Sequence, residues 1–180
     1  MAPRWSERTS AVPDYVRPHL ESLDIAGFRI PHWDYDEEGH VVPPEELPEC
    51  SFATYATHDH DSLPAMWADF RKIAADPEAD EDDREKAVRD LALLAEFGGF
   101  DPDADYGPEM KARLLGALFA CRSRYAAVMI TDVCDLTDRI NSPGTVGPHN
   151  WSFRLGPELE GKALAELAKL RPLLEKGRRC

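Results

Sequence analysis

Short runs of β-forming residues alternate with longer stretches of helical periodicity, and no other feature limits the possible folds as much. Phe28-Arg29-Ile30 is a short strand candidate and Phe52-Ala53-Thr54-Tyr55-Ala56 a second. Ala126-Ala127-Val128-Met129-Ile130 is a third, apolar enough to be buried on both faces. Helical segments lie around them. Val16, Leu20 and Leu23 share one face, with Pro18 close to the start. The stretch from Arg84 to Phe97 places Val88, Leu91, Leu94 and Ala95 on one side. The acidic run Asp80-Glu81-Asp82-Asp83 suits its N-terminus, and Gly98-Gly99 ends it. A further helix carries Met110, Leu114, Ala117, Leu118, Cys121 and Tyr125 along one stripe. The last follows Gly156-Pro157 and is expected to bury Leu164, Leu167 and Leu170 or Leu174. Strands that alternate with helices imply right-handed βαβ units in a parallel sheet. Three strands make a poor sheet alone, so the set reads as part of a larger α/β structure, such as the last portion of a barrel. Residues 34–49, rich in acidic residues and proline, and 141–148, rich in glycine and proline, are loose connectors.

At 180 residues the chain is long enough for one ordinary domain with a core. A net charge of -13 argues against a nucleic-acid or other phosphate-binding surface, which needs clustered Lys and Arg. A neutral or cationic ligand is easier to accommodate; a sugar polymer fits, although charge does not point to it. The N-terminus lacks an apolar signal-peptide core, and no stretch is long and apolar enough to span a bilayer. Cys50, Cys121, Cys134 and Cys180 show no paired spacing of the zinc-ribbon or redox type. They read as free thiols, and the expected location is cytoplasmic.

Chemistry-bearing residues concentrate in Thr57-His58-Asp59-His60-Asp61, directly after the second strand. In parallel α/β folds, ligands bind at the carboxyl ends of strands. The plain structural reading is a strand-to-helix turn. In it Asp61 or Ser62 caps the helix that holds Met66, Trp67 and Phe70. Capping coexists with function if His58 and Asp59 face a ligand. Two functional readings compete. His58 and Asp59 could be metal ligands of a hydrolase, helped by His32 or His40. Alternatively Asp59 is a carboxylate beside a sugar and His58 a donor to its hydroxyls, which requires a carboxylate partner from another strand. Asn141-Ser142-Pro143-Gly144-Thr145 and Asn150-Trp151-Ser152-Phe153-Arg154 form a second constellation after the third strand. Asn amides bond hydroxyls and a Trp face stacks on a pyranose ring; the alternative is a tight Pro-Gly turn with a core Trp.

The Thr-His-Asp-His-Asp run resembles the THDND or THDHD motif of glycoside hydrolase family 77, the amylomaltases and 4-α-glucanotransferases. The loop from Asn141 to Gly144 and the stretch Asn150-Trp151…Arg154 resemble the NxPGT and NW segments of that family. Val12-Pro13-Asp14-Tyr15-Val16-Arg17-Pro18 and Gly27-Phe28-Arg29-Ile30 resemble its stretch after strand five and its sixth strand. The resemblance implies an α/β fold that is the C-terminal part of a (β/α)8 TIM barrel, about strands 6–8 with their helices. It implies retaining transfer of α-1,4-glucan segments between maltooligosaccharides, through a covalent glycosyl-enzyme intermediate. The implied catalytic set is an Asp nucleophile after strand four, a Glu acid/base after strand five and a stabilising Asp after strand seven. That last Asp maps on Asp59. His58 maps on a neighbouring sugar contact, and Asn141, Asn150 and Trp151 become candidate sugar-binding residues. No metal or organic cofactor is implied; the implied partners are maltooligosaccharides or α-1,4-glucans.

Departures from the family pattern are informative. The nucleophile segment is expected upstream of Met1. The acid/base motif Ala-Glu-Asp-Leu-Gly is replaced by Ser6-Glu7-Arg8-Thr9-Ser10; Glu7 falls in the ungapped position, without the flanking Asp-Leu-Gly. Residues 1–11 therefore read as an atypical N-terminal segment and 12–180 as a partial barrel. The chain is expected to be inactive alone, with the missing N-terminal part of the same enzyme as a candidate partner. The rival readings are a non-catalytic glucan-binding or interaction module and, behind it, the metal-dependent hydrolase.

Overall fold

The computed structural model describes residues 13, 15–36 and 38–179. Helix α1 (Val16–Ser22) leads into β1 (Gly27–Arg29). Two 3-10 turns, Pro31–Trp33 and Pro44–Glu46, precede β2 (Ser51–Ala53). Helices α2 (Leu63–Ala75), α3 (Glu81–Gly98) and α4 (Pro108–Ala120) separate β2 from β3 (Tyr125–Ala126). The one-turn α5 (Ile130–Val133) and the long α6 (Pro157–Lys176) follow. The strands form a parallel sheet in the order β1-β2-β3, with Phe28 opposite Phe52 and Phe52 opposite Tyr125.

Side chains alternate along a strand, so the sheet has two distinct faces. Ser51 and Ala53 are buried, and the Ser51 hydroxyl lies 2.7 Å from that of Ser123. Phe28, Phe52 and Tyr125 share the other face, with ring centroids 5.1 and 6.2 Å apart. Phe28 is 60% and Tyr125 50% exposed, so this aromatic row is open among the described residues. The core sits on the helical side. Trp67 of α2, Leu93 and Leu94 of α3, and Leu114, Leu115 and Leu118 of α4 are fully buried there, together with Tyr55 beyond β2. The Tyr55 hydroxyl donates to the Leu114 carbonyl at 2.6 Å, which satisfies its polar tip inside the core.

Helix ends follow elementary rules at α3. The Asp80 carboxylate accepts from the Asp82 N–H at 3.0 Å, and Gly99 ends the helix in the left-handed region at φ 69°. The start of α2 is different. Ser62 is the N-cap residue, but its hydroxyl donates to the Leu136 carbonyl at 2.6 Å. The Leu63 N–H donates instead to Asp132 Oδ1 at 2.7 Å. The expected cap from Asp61 or Ser62 is thus replaced by a carboxylate 69 residues downstream. Another long-range tie is the Lys111 ammonium, largely buried. It donates to the Val133 carbonyl at 3.0 Å, Asp135 at 2.6 Å and Glu166 at 3.3 Å, joining α4, the end of α5 and α6.

Several sequence expectations are corrected. The third strand is shorter than the run 126–130 and is not buried on both faces. Those residues are half-buried, and Ile130 already begins α5. One side of the run lies toward the open face of the sheet. Tyr125 belongs to that strand and not to α4, because the chain turns extended at Cys121. Val88 is exposed, since α3 buries Ala87, Asp90, Leu91 and Leu94 between its neighbours. No residue of α1 is buried. In α6 the buried positions are Ala163 and Leu170, whereas Leu164 is 64% exposed and Leu167 also points outward. The helix has apolar residues on two flanks, and among the described residues only one flank has a partner.

Leu170→Ala is expected to lower unfolding free energy by about 2–5 kcal/mol, and Leu164→Ala to stay within about 0.5 kcal/mol of wild type, measured by urea denaturation. Equal losses would contradict the packing of α6. Asp132 generates a pH prediction. Burial raises its pKa from 3.8 to about 6, opposed by the N–H groups of Leu63 and Met129 and reinforced by Asp135. A raised folded-state value means that its stabilising contribution is complete below 3.8 and is lost as pH rises through about 6. Wild type is expected to lose about 3 kcal/mol across that interval that Asp132→Asn does not lose. Parallel stability–pH curves for the two proteins would refute it.

Candidate functional site

The parallel register sends the carboxyl ends of all three strands to one rim. Trp33 follows β1, the Thr57–Asp61 loop follows β2, and the chain from α5 to Trp151 follows β3. One backbone bond clasps the last two together, and another closes the third segment on itself. The Asn141 N–H donates to the His58 carbonyl at 3.1 Å, and the Trp151 N–H donates to the Ile140 carbonyl at 2.8 Å.

Asp59 lies at the centre of this rim. Its Oδ1 accepts from Asn141 Nδ2 at 2.6 Å and is 3.3 Å from His58 Nε2. The Asp59 and His58 side chains are 40% and 48% exposed, so a ligand can reach both. Trp151 lies against His58, with ring centroids 4.8 Å apart at 39°. Its backbone is left-handed at φ 61°, an unusual conformation for a bulky residue. One tryptophan face therefore covers the imidazole, while much of the ring remains exposed. Asn150 does something else. Its carbonyl oxygen accepts from the Ser142 N–H at 2.8 Å and its amide donates to the Thr145 carbonyl at 2.9 Å. That side chain braces the 142–150 loop from within. Glu7 lies outside the described residues.

Sequence reasoning missed Arg139. Its guanidinium donates to the Asp59 carbonyl at 2.8 Å, the Asp61 carboxylate at 2.7 Å and the Asn141 carbonyl at 3.0 Å. One planar group thus fastens both loops, a task suited to the fixed fork of arginine. The available signal was its position two residues before Asn141. His60 was noticed only as part of the run. Its Nδ1 accepts from the Thr57 N–H at 3.2 Å, and its ring meets the Trp33 ring edge-on at 5.0 Å. Burial chiefly lowers its pKa below the ordinary histidine value, against the raising effects of Asp59 and Asp61.

The proposed metal helpers lie apart from Asp59. His32 is buried against the Trp33 and Phe70 rings, and burial, Lys86 and His60 push its pKa down to about 3. His40 pairs with Glu96 at 3.1 Å. Among the described residues no three His, Cys, Asp or Glu side chains gather as a metal site. The arrangement offers a half-exposed carboxylate free of any Lys or Arg partner among the described residues, an amide and an imidazole, which can bond hydroxyl groups and stabilise positive charge. Asp61, the other carboxylate of the loop, is held by Arg139.

The chain is 27% identical to a 4-alpha-glucanotransferase of Chlamydia muridarum over 180 residues, covering 93% of this chain and 31% of that protein. A 4-alpha-glucanotransferase of Chlamydia trachomatis is 25% identical over 181 residues, covering 94% and 31%. The chain thus spans about a third of the length of these relatives. Its fold matches part of the Streptococcus agalactiae amylomaltase, solved in complex with acarbose. The TM-score is 0.58 at 17% identity, over 94% of this chain and 31% of that one. The Corynebacterium glutamicum amylomaltase gives 0.57 at 18% identity, over 79% and 23%. Among the described residues no helix is long and apolar enough to cross a membrane. The family model described as 4-alpha-glucanotransferase matches residues 3–159, and the chain belongs to glycoside hydrolase family 77.

Proposed function

We propose that this chain is one part of a retaining 4-α-glucanotransferase, the part that supplies Asp59 as the carboxylate stabilising the transition state. On this reading residues 12–180 form about strands 6–8 of a (β/α)8 barrel, with maltooligosaccharides or α-1,4-glucans as substrates. The observation that carries it is the Asp59 carboxylate, held by the Asn141 amide and the His58 imidazole at adjacent parallel strand ends. An anion fixed in this way is already oriented when positive charge develops on a sugar ring, so little reorganisation opposes the reaction. His58 and Asn141 have the donors to bond sugar hydroxyls. The exposed part of Trp151 offers an apolar face to a pyranose, and Asn150 shapes the loop that presents it.

A retaining mechanism also needs a nucleophile and an acid/base. We assign these to polypeptide beyond the described residues, with Glu7 the candidate acid/base within this chain. The same polypeptide would cover the aromatic row of Phe28, Phe52 and Tyr125. The length relation supports this, since the chain spans 31% of its Chlamydia muridarum relative.

Incubated alone with maltotriose, the chain is expected to release no glucose and form no longer oligomers. Disproportionation would overturn the assignment of the nucleophile to another segment. Maltoheptaose binding, followed by calorimetry, should weaken about tenfold or more in Asp59→Ala and in Trp151→Ala, a loss of about 1.4 kcal/mol or more. Affinity unchanged in both variants would remove the sugar site from this rim. The exposed Trp151 ring favours a second reading, a glucan-binding module without catalysis. Sugar binding that survives while no added barrel segment restores turnover would support that alternative. Replacing Phe28 and Tyr125 together by Ser should reduce self-association in sedimentation and binding of an apolar dye; unaltered behaviour would show that the row is not the sticky surface.

A further inference from the structure

The Thr57–Asp61 loop contains a bond pattern that its sugar chemistry does not require. The His60 N–H donates to the Thr57 carbonyl at 3.0 Å, closing a tight turn. The Thr57 N–H donates back to His60 Nδ1 at 3.2 Å, and the Thr57 hydroxyl lies 2.9 Å from the same nitrogen. The Asp59 N–H in turn points at that hydroxyl oxygen, at 3.4 Å. A ring nitrogen that accepts from a backbone N–H carries no proton, so the imidazole proton belongs on Nε2. The Thr57 hydroxyl can then donate to Nδ1 and keep its lone pairs for the Asp59 N–H. The result is a chain from Asp59 through Thr57 to His60. We infer that His60 is a positioning residue: neutral and protonated on Nε2, it latches the Thr57–His60 turn and keeps the Asp59 carboxylate against Asn141, and a proton on Nδ1 releases the latch.

Protonation converts Nδ1 from acceptor to donor. It then faces the Thr57 N–H donor to donor and can only donate to the Thr57 hydroxyl, so the half-buried turn loses the backbone N–H···Nδ1 bond that helps close it. The surroundings already disfavour that state. His58, Asp59 and Asp61 face His60 from its own loop, and Arg139 faces it from the second loop. His32 lies beyond Trp33 after β1, with Lys86 of α3 beside it. Burial, Arg139 and His58 oppose the charged imidazole, while Asp59 and Asp61 favour it, and the net direction is downward. A histidine with a lowered folded-state value contributes stability that is complete above its unfolded value of 6.5. That contribution is lost as pH falls through the lower folded value. The latch is therefore closed at neutral pH and opens only as pH falls below the ordinary histidine range.

The inference rests on the proposed function only for the importance of Asp59. Its test contains no sugar, so the two can fail separately. NMR of the 15N-labelled 180-residue chain, titrated downward from about pH 8 until the His60 ring itself changes protonation, reads the latch directly. At neutral pH the His60 ring should carry its proton on Nε2. The Asp59 backbone amide and the Asn141 side-chain amide should share a pH step with that ring. His60→Asn places an acceptor near the Nδ1 position that does not titrate. It should leave both signals at their neutral-pH positions and abolish the shared step, while any step that follows the His58 ring persists. His60→Leu should displace both signals at every pH, with the core signals of Tyr55 and Leu118 unchanged. A proton on Nδ1 at neutral pH would overturn the inference, a result that needs no variant. So would an Asp59 pH profile identical in wild type and His60→Asn, or a His60→Leu protein with both signals in place.

Discussion

The parallel alignment of Arg29, Ala53 and Ala126 fixes where everything functional in this chain can stand. Parallel strands share a direction, so their carboxyl ends open on the same rim. Each strand has only two or three paired residues, too few to hold a sheet by hydrogen bonds alone. The register is secured from the side by the helical layer, where Tyr55, just past β2, is locked to α4 through the Leu114 carbonyl. The site loops inherit their positions from that packing. A shift of β2 by one residue would exchange its buried and exposed faces and carry His58 and Asp59 away from Asn141.

Above the sheet, the work of positioning passes from apolar packing to ionic and hydrogen-bonding groups. Asp132 bonds the first N–H of α2, Lys111 joins α4 to Asp135 and Glu166, and Arg139 bridges Asp59 to Asp61. These ties connect segments that no single helix or strand spans. Charged groups in such places are stable only when nearly all of their bonding capacity is met, which makes them sensitive to geometry. Asp132 shows the tension: two N–H groups favour its anion, yet burial still raises its pKa to about 6. The rim is thus a polar lattice resting on an apolar base, and its order depends on protonation as well as on packing.

What the sequence revealed follows from this division. Periodicity located α2, α3, α4 and α6, because each has a continuous apolar stripe and clear end signals such as Asp80 and Gly99. The strand alternation was legible for the same reason. The loop pair carrying His58, Asp59, Asn141 and Trp151 could be singled out because its residue types are concentrated at strand ends. Arg139 and Asp132 could not. Their roles come from partners 78–80 and 69 residues away, and nothing local marks an arginine or aspartate for such a contact. Asn150 was legible as a residue of interest but not as a brace, since an amide's partners depend on how the loop closes.

The exposed apolar residues have a common cause. Leu164, Leu167 and Val88 sit on helices, and Phe28 and Tyr125 on strands, yet all five are well exposed. A hydrophobic pattern records that a face seeks cover, but not whether the cover lies within the same 180 residues. Val88 has a local account: it lies in a shallow surface with Ala74, Arg84 and Arg89, whose long side chains flank a lone valine without covering it. No such account serves the sheet. Three aromatic rings aligned across parallel strands form one continuous apolar surface, and both faces of a parallel sheet are ordinarily covered. The outward leucines of α6 and the open side of the sheet thus share one source: the pattern records a need for burial and is silent about what supplies it.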